Sequence, residues 1–136
     1  MEDIKFLLSK WKQTLNKIEL NNGTIHPIEM GDKATIREIK AKEIELGYQL
    51  PPSYKYILQN LGKSLSFYYS FSEDTMIPRN FNEIFSGEIS WNIDFLQNLD
   101  ELADELMEDG EDYGKTLRGK LEFSHAGNGD IYAFDM

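Results

Sequence analysis

The spacing of apolar residues in the first half of the chain predicts three amphipathic helices. The first helix has one apolar face, made of Ile4, Leu7, Leu8, Trp11, Leu15 and Ile18. Asp3 is placed to cap this helix, and Asn21-Asn22-Gly23 ends it. We expect a loop to continue through His26-Pro27. A second helix is predicted from about Thr35 to Leu46, and a third from Pro52 to Leu61.

The segment between the second and third helices carries strong stop and start signals. Gly47 can end the second helix, because glycine adopts the left-handed conformation at little steric cost. Pro51 disfavours a helical backbone at Leu50, and Pro52 suits the first turn of the next helix. We expect the two helices to pack against each other through Ile39, Leu46, Tyr54, Ile57 and Leu58.

The middle of the chain has the pattern of a strand followed by a loop. Residues 65–71 are rich in aromatic side chains, and alternation places on one face Leu65, Phe67, Tyr69 and Phe71. Ser72 to Asn82 is predicted to be a loop, which Pro78 interrupts. No element is predicted for the apolar residues that come next, which are Phe81, Ile84, Phe85 and Trp91.

The last third of the chain predicts one helix and two strands. Apolar residues at helical spacing indicate a fourth helix, marked by Leu99, Leu102, Ala103, Leu106 and Met107. Leu121 and Phe123 favour one strand and residues 131–134 another, with Asn128-Gly129 as a typical hairpin turn between them. Because helices precede the strands, we expect one α+β domain over residues 1–136, with N-terminal helices packed on a mainly antiparallel sheet.

The composition agrees with a folded domain of this size. The chain has 136 residues, of which 40% are hydrophobic and 12% aromatic, enough for a buried core. No apolar stretch approaches the ~20 residues that span a bilayer, and the acidic N-terminus is unlike a secretory signal. The absence of Cys excludes disulfides and thiolate ligands. We therefore expect a cytoplasmic protein that does not associate with membranes.

A net charge of −10 narrows the class of partner. Nucleic-acid binding relies on clustered Lys and Arg, so this charge argues against DNA and RNA. It would steer a basic protein toward the chain at low salt, although acidity also serves solubility. The densest acidic segment has eight carboxylates in thirteen residues, at Asp100, Glu101, Asp104, Glu105, Glu108, Asp109, Glu111 and Asp112.

This acidic segment places like charges four residues apart on the predicted helix. Each such pair costs helix stability, by about 0.2–0.5 kcal/mol. The segment lacks the ligand spacing of a calcium-binding EF-hand loop. Two interpretations remain open: a surface that meets a basic partner, or a solvated helix face opposite the apolar stripe.

A search for catalytic and metal-binding motifs identifies none. The two histidines, His26 and His125, do not belong to a metal or catalytic motif. Glu43 interrupts an apolar stripe, so it is either a catalytic carboxylate or a buried or half-buried acceptor for backbone N–H groups or the Tyr54 hydroxyl. We favour the acceptor, and we expect Asp130 to bond the backbone of its turn. We expect no cofactor, no metal and no catalytic residue.

Two motifs lie about seventy residues apart in this chain. The first is a Glu followed by Gly, Leu-Pro and Tyr, and it consists of Glu43, Gly47, Leu50, Pro51 and Tyr54. The second is a Gly-Asp turn before an apolar strand that ends in Asp, and its turn includes Gly127, Gly129 and Asp130. Together they resemble the SUKH superfamily of Smi/Knr-like cell-wall-assembly regulators and bacterial toxin-immunity proteins. The resemblance covers roughly residues 35–135.

This resemblance implies a SUKH-like domain that binds a protein and does not catalyse a reaction. Bacterial members look like immunity partners that neutralise co-encoded toxins, often nucleases. The short acidic chain matches them better than the fungal scaffolds of cell-wall signalling, which carry long flanking segments. Family domains usually continue past the Gly-Asp strand, so C-terminal family elements are expected to be missing here. The alternatives are a regulatory scaffold and a small-molecule-binding protein or enzyme.

Overall fold

Five α-helices and two antiparallel sheets make up the part of the chain that the computed structural model describes, namely residues 4–77, 79, 84, 86–126 and 129–136. In chain order the elements are α1 (Ile4–Leu20), β1 (Thr24–Met30), α2 (Ile36–Leu46), α3 (Pro52–Asn60), β2 (Ser64–Ser70), β3 (Ser86–Asn92), a 3₁₀ turn (Ile93–Phe95), β4 (Gln97–Asn98), α4 (Asp100–Glu108), α5 (Gly114–Leu117), β5 (Lys120–His125) and β6 (Ile131–Asp135). The predicted α+β class is confirmed. No helix in these described ranges is long and apolar enough to cross a bilayer.

The sheets have the strand orders β1-β2-β3 and β4-β5-β6. The pairing of β2 with β3 runs without interruption from Ser64 opposite Asn92 to Ser70 opposite Ser86. The two sheets approach each other between β3 and β5, where the Ser90 and Ser124 hydroxyl oxygens lie 3.3 Å apart. This approach forms a seam between the sheets, and the seam positions the cavities described below.

The prediction of a loop through His26-Pro27 is wrong, because residues 24–30 form β1. Pro27 has no N–H to give to a strand ladder, so proline is confined to edges and irregularities of sheets. Here β1 is an edge strand, and its register with β2 shifts between His26 and Glu29. Pro27 falls inside this shift, where the ladder requires no bond from it.

Two hydrophobic clusters fill the space between the helices and the sheets. The first joins α2, α3 and β5 and includes Ile39, Leu46, Leu50, Tyr54, Leu58 and Leu121. The second packs α1 on β2 and includes Leu15, Ile18, Leu61, Leu65, Phe67 and Phe71. The predicted contact between α2 and α3 is confirmed except at Ile57, which packs against the second cluster. Ile57 lies about 100° around the helix from Leu58 and therefore faces a different neighbour.

The stop signal between α2 and α3 acts as predicted. Gly47 has φ 73°, and its N–H donates to the Glu43 carbonyl to close the last turn of α2.

Trp91, for which no element was predicted, lies in β3. Other predicted positions lie outside the described residues, and these are Asp3, Pro78, Phe81, Asn82, Phe85, Gly127 and Asn128.

Leu58→Ala should lower the free energy of unfolding by about 2–5 kcal/mol, because truncating a fully buried Leu leaves a cavity. Leu20→Ala is the matched control, since Leu20 is 83% exposed and its loss should cost no more than about 0.5 kcal/mol. Urea unfolding followed by circular dichroism measures both values. Equal losses in the two variants would contradict the burial of this face of α3.

Candidate functional site

Glu43 of the first motif lies at the junction of α2 and α3. Its Oε1 accepts a hydrogen bond from the Leu50 backbone N–H at 2.8 Å and another from Lys55 Nζ at 3.0 Å. Burial alone raises the pKa of Glu43, but these two bonds and the Lys55 charge outweigh burial and leave the pKa below its ordinary value. The predicted half-buried acceptor thus binds a backbone N–H and an ammonium group, not the Tyr54 hydroxyl.

A capping box fixes the start of α2. The Thr35 hydroxyl accepts the Glu38 N–H at 3.2 Å, and the Glu38 carboxylate accepts the Thr35 N–H at 2.7 Å. Lys63 Nζ adds a bond to the other carboxylate oxygen at 3.0 Å. The Thr35 backbone bond is the largest of the effects that lower the pKa of Glu38 to about 2. Both ends of α2 therefore depend on ionised glutamates.

Tyr54, the last residue of the first motif, is buried in the core. Its ring lies 5.2 Å from Phe134 and 6.1 Å from Phe123, measured between ring centroids. Its hydroxyl is buried without a hydrogen-bond partner among the described residues, and burial raises its pKa. A phenol with a raised pKa stays protonated at neutral pH, so Tyr54 is not a general base.

Next to Tyr54, an apolar groove of about 490 Å³ opens between α1, α3 and the seam of the two sheets. Its walls are mainly hydrophobic and aromatic, and they include Leu7, Trp11, Ile57, Trp91, Phe123 and Tyr132. Sequence reasoning missed this groove, since its walls come from five elements that are distant in the chain. Alternation in β5, which sets Phe123 apart from its polar neighbours, was the available signal.

Asp100 anchors the start of α4 to the rest of the fold. Its carboxylate accepts the Gly119 N–H at 2.8 Å and the Tyr48 hydroxyl at 2.9 Å. The bond from Gly119 is the main reason that the pKa of Asp100 lies below its ordinary value. Asn98 completes the anchor, because its amide donates to the Leu46 carbonyl at 3.0 Å. The geometry gives Asp100 a structural role.

The other carboxylates of the acidic segment divide into two groups. Asp104 is ion-paired with Arg118, and Asp112 lies 2.7 Å from Lys115 Nζ. The remaining five have no Lys or Arg within 4.0 Å among the described residues, and we call them the free acidic surface: Glu101, Glu105, Glu108, Asp109 and Glu111. All five are exposed on α4 and on the turn that leads to α5.

A small core holds this surface in place. Leu99, Ala103 and Leu117 are buried together between α4 and α5. Gly114 permits the close approach of the two helices, because an added Cβ would lie 2.6 Å from the Ala103 carbonyl oxygen. The free acidic surface therefore stands on a packed helical hairpin.

The second motif forms the turn between β5 and β6. Gly129 has φ 92°, and its N–H donates to the Ala126 carbonyl at 3.0 Å. The Asp130 carbonyl accepts the Ala126 N–H at 2.8 Å. Gly127 lies outside the described residues. The two motifs do not combine into one site, but each shapes a connection in the fold.

His26 lies apart from both motifs, whereas His125 directly precedes the turn of the second motif and pairs with Ile131. His26 stacks on Tyr68 with ring centroids 5.0 Å apart, and its Nε2 lies 3.3 Å from Glu29. His125 is exposed, with Nδ1 3.8 Å from Glu122. Within the described ranges, no three His, Cys, Asp or Glu side chains come together in a group that could hold a metal ion.

A helical layer on antiparallel sheets, with structural carboxylates at its junctions and an acidic hairpin on its surface, defines a domain of the α+β class. The sequence profile of the SMI1 / KNR4 family (SUKH-1) matches residues 33–136, more than half of the chain. The chain belongs to this family. No curated protein and no solved structure gave a match. Membership supports an immunity or regulatory module that interacts with proteins.

Glu43→Gln should lower the free energy of unfolding at pH 7 by about 1–3 kcal/mol, because two bonds to a charged acceptor weaken. The lowered pKa means that the ionised group stabilises the fold above the ordinary value of 4.5 and loses this effect as the pH falls through the folded-state value. The difference in the free energy of unfolding between the wild type and the Glu43→Gln variant should therefore become smaller below pH 4.5. Urea unfolding across this pH range measures it. Glu45→Gln, at an exposed ion pair, is the control, and a Glu43 effect that persists in acid would contradict the argument.

Tyr54→Phe should leave the free energy of unfolding unchanged or raise it by up to about 1 kcal/mol, because it removes a buried hydroxyl that has no acceptor among the described residues. The ring contacts with Phe123 and Phe134 remain. Urea unfolding of the wild type and the Tyr54→Phe variant in the same buffer measures the two free energies of unfolding. A loss greater than about 1 kcal/mol would show that the hydroxyl has an acceptor.

Proposed function

We propose that this chain is a cytoplasmic immunity protein that binds and neutralises a cognate toxin domain, most simply a basic nuclease. Family membership supports a module of this kind. The proposal assigns no catalytic residue and no cofactor to the chain. Its partner is a protein, and neither nucleic acid nor membrane has a role in it.

The free acidic surface is the observation that carries this proposal. Folded proteins usually intersperse charges of both signs, whereas this surface has five exposed carboxylates without a Lys or Arg partner among the described residues. Glu101 and Glu105 are four residues apart on α4, and like charges at this spacing destabilise a helix. The cationic side chains of a basic partner would offset this repulsion between the carboxylates.

Electrostatics supply the means of neutralisation. Nuclease active sites present Lys and Arg to hold phosphate, and a surface of carboxylates offers these cations an alternative set of negative charges. The α4–α5 hairpin is held by its own core and by the Asp100 anchor, so it would meet the toxin as a preformed surface. A complex of this kind occludes the active site and excludes the nucleic-acid substrate.

A regulatory scaffold is the second candidate. Membership of the SMI1 / KNR4 family supports it, because the superfamily that the sequence motifs resemble also includes cell-wall-assembly regulators. The two candidates differ in a simple respect: an immunity protein protects a cell that expresses the toxin encoded beside it, and a scaffold does not.

The charge-reversed variant E101K/E105K/E108K should associate with the neighbouring gene's toxin domain at least about tenfold more slowly than wild type, because steering by the acidic surface is lost. Wild-type association should weaken as salt rises past about 0.15 M, where the Debye length is about 8 Å, and the variant should respond less. Stopped-flow binding over a salt series, with rescue of growth in cells that express the toxin, measures both effects.

The control variant E19K/E73K/D74K makes the same change in net charge at exposed carboxylates outside the α4–α5 hairpin. Its on-rate should remain close to that of wild type. Full protection and an unchanged on-rate in the α4 variant would show that the free acidic surface serves solubility alone. Failure of the wild-type chain to protect any cell from the toxin would reject the immunity function itself.

A further inference from the structure

A second concave surface lies at the seam of the two sheets, apart from α4. It is a trough of about 470 Å³ formed by the ends of β1 and β3, the start of β2, the 3₁₀ turn and β5. Ser64 and Ser66 line it, and alternation along β2 places them on the opposite face from Leu65 and Phe67, which pack toward α1. The trough therefore opens on the sheet face opposite α1.

The trough is rich in hydrogen-bond acceptors. Two carboxylates line it, Glu29 and Glu122, together with the hydroxyls of four serines, Ser64, Ser66, Ser90 and Ser124. The Glu122 side chain is only 16% exposed. Within 4.0 Å of each carboxylate the described residues supply an imidazole and no Lys or Arg, and an imidazole is charged only when protonated. A carboxylate largely withdrawn from water without a permanent cation is costly, so the trough favours a cationic guest.

One exposed aromatic ring stands at the rim of the trough. It belongs to Phe95, which is 76% exposed. Trp91 and Phe123 also border the trough, but their rings lie on the helix side, since the Trp91 indole N–H donates to the Gly62 carbonyl at 3.1 Å and the Phe123 ring packs on Phe134. Aromatic faces attract cations, and they stack well against a planar cation.

We propose that this trough receives an arginine side chain of the basic protein partner. A guanidinium carries five N–H donors in a plane, which suits two carboxylates and several hydroxyl oxygens beside one exposed aromatic ring. A lysine ammonium has three donors and no planar face, so it would make fewer hydrogen bonds to the carboxylates and hydroxyls and would not stack on the aromatic ring. The inference rests on the proposed function for the identity of the partner. The trough itself is tested without the toxin.

The probe is the capped tripeptide acetyl-Gly-Arg-Gly-amide, titrated into the full chain and followed by amide NMR shifts. The largest shifts should fall on Ser66, Ser90, Phe95 and Glu122. Replacing the arginine with citrulline removes the charge and keeps the shape, and it should weaken binding at least about tenfold. The lysine peptide should also bind more weakly than the arginine peptide.

Glu122→Gln and Glu29→Gln should each weaken binding of the arginine peptide by about tenfold, whereas Glu73→Gln, at an exposed carboxylate outside both acidic surfaces, should leave it unchanged. Thermal unfolding checks that each variant is folded, and the exposed Glu29 provides the test should the Glu122 variant be unstable. Equal binding of arginine, citrulline and lysine peptides would overturn the inference, as would shifts centred on α4 or no binding at about 10 mM. These outcomes would leave the immunity function standing, because toxin rescue tests it separately.

Discussion

The hydrogen bond from the Leu50 N–H to Glu43 is the constraint on which the arrangement of the helices depends. Leu50 is fully buried, so its N–H cannot donate a hydrogen bond to water. A buried donor without an acceptor costs about 1–3 kcal/mol. Neither Pro51 nor Pro52 carries an N–H, and the left-handed Gly47 has already ended the α2 ladder. The Glu43 side chain supplies the acceptor that the backbone no longer offers. Its second bond, from Lys55, ties the same carboxylate to α3.

The acidic hairpin depends on this junction through two further bonds. Asn98 donates to the Leu46 carbonyl at the end of α2, and the Tyr48 hydroxyl in the link donates to Asp100 at the start of α4. A change in the α2–α3 link would therefore move the first turn of α4. The first motif and the free acidic surface share no residue, but these two hydrogen bonds connect the elements that carry them. This connection explains how a motif with a structural role can still matter for binding.

Local patterns predicted much of this fold, because helix spacing, the Gly47 stop and the aromatic alternation of residues 65–71 depend on near neighbours in the chain. The sequence did not predict β1, where Pro27 is tolerated only through a shift of register with β2. It also did not predict β3, whose Ser-Gly-Glu-Ile-Ser-Trp-Asn sequence has weak strand preference and relies on its pairing with β2. Such pairings join residues that lie sixteen or more positions apart in the chain.

The candidate site was predictable only in part for the same reason. Composition identified an acidic segment of eight carboxylates, but it could not separate the structural Asp100 from the exposed Glu101. That distinction comes from Tyr48 and Gly119, and the pairing of Asp104 comes from Arg118. The trough joins the ends of β1 and β5, which no local pattern brings together.

The carboxylates of this chain thus fall into two groups with opposite effects on the stability of the fold. Glu38, Glu43 and Asp100 have a lowered pKa because hydrogen-bond donors surround them, so their ionised forms favour the folded state. The free acidic surface and the trough lack Lys and Arg partners among the described residues, and a net charge of −10 adds self-repulsion that opposes the compact state. A cationic partner relieves the second effect without disturbing the first, because the structural carboxylates are already bonded. A partner that binds only the folded chain also stabilises it, by an amount that grows with the logarithm of the partner concentration. In the proposed function, partner recognition and fold stability are therefore coupled through the carboxylates of the free acidic surface and the trough, while the junction carboxylates keep these two surfaces in place.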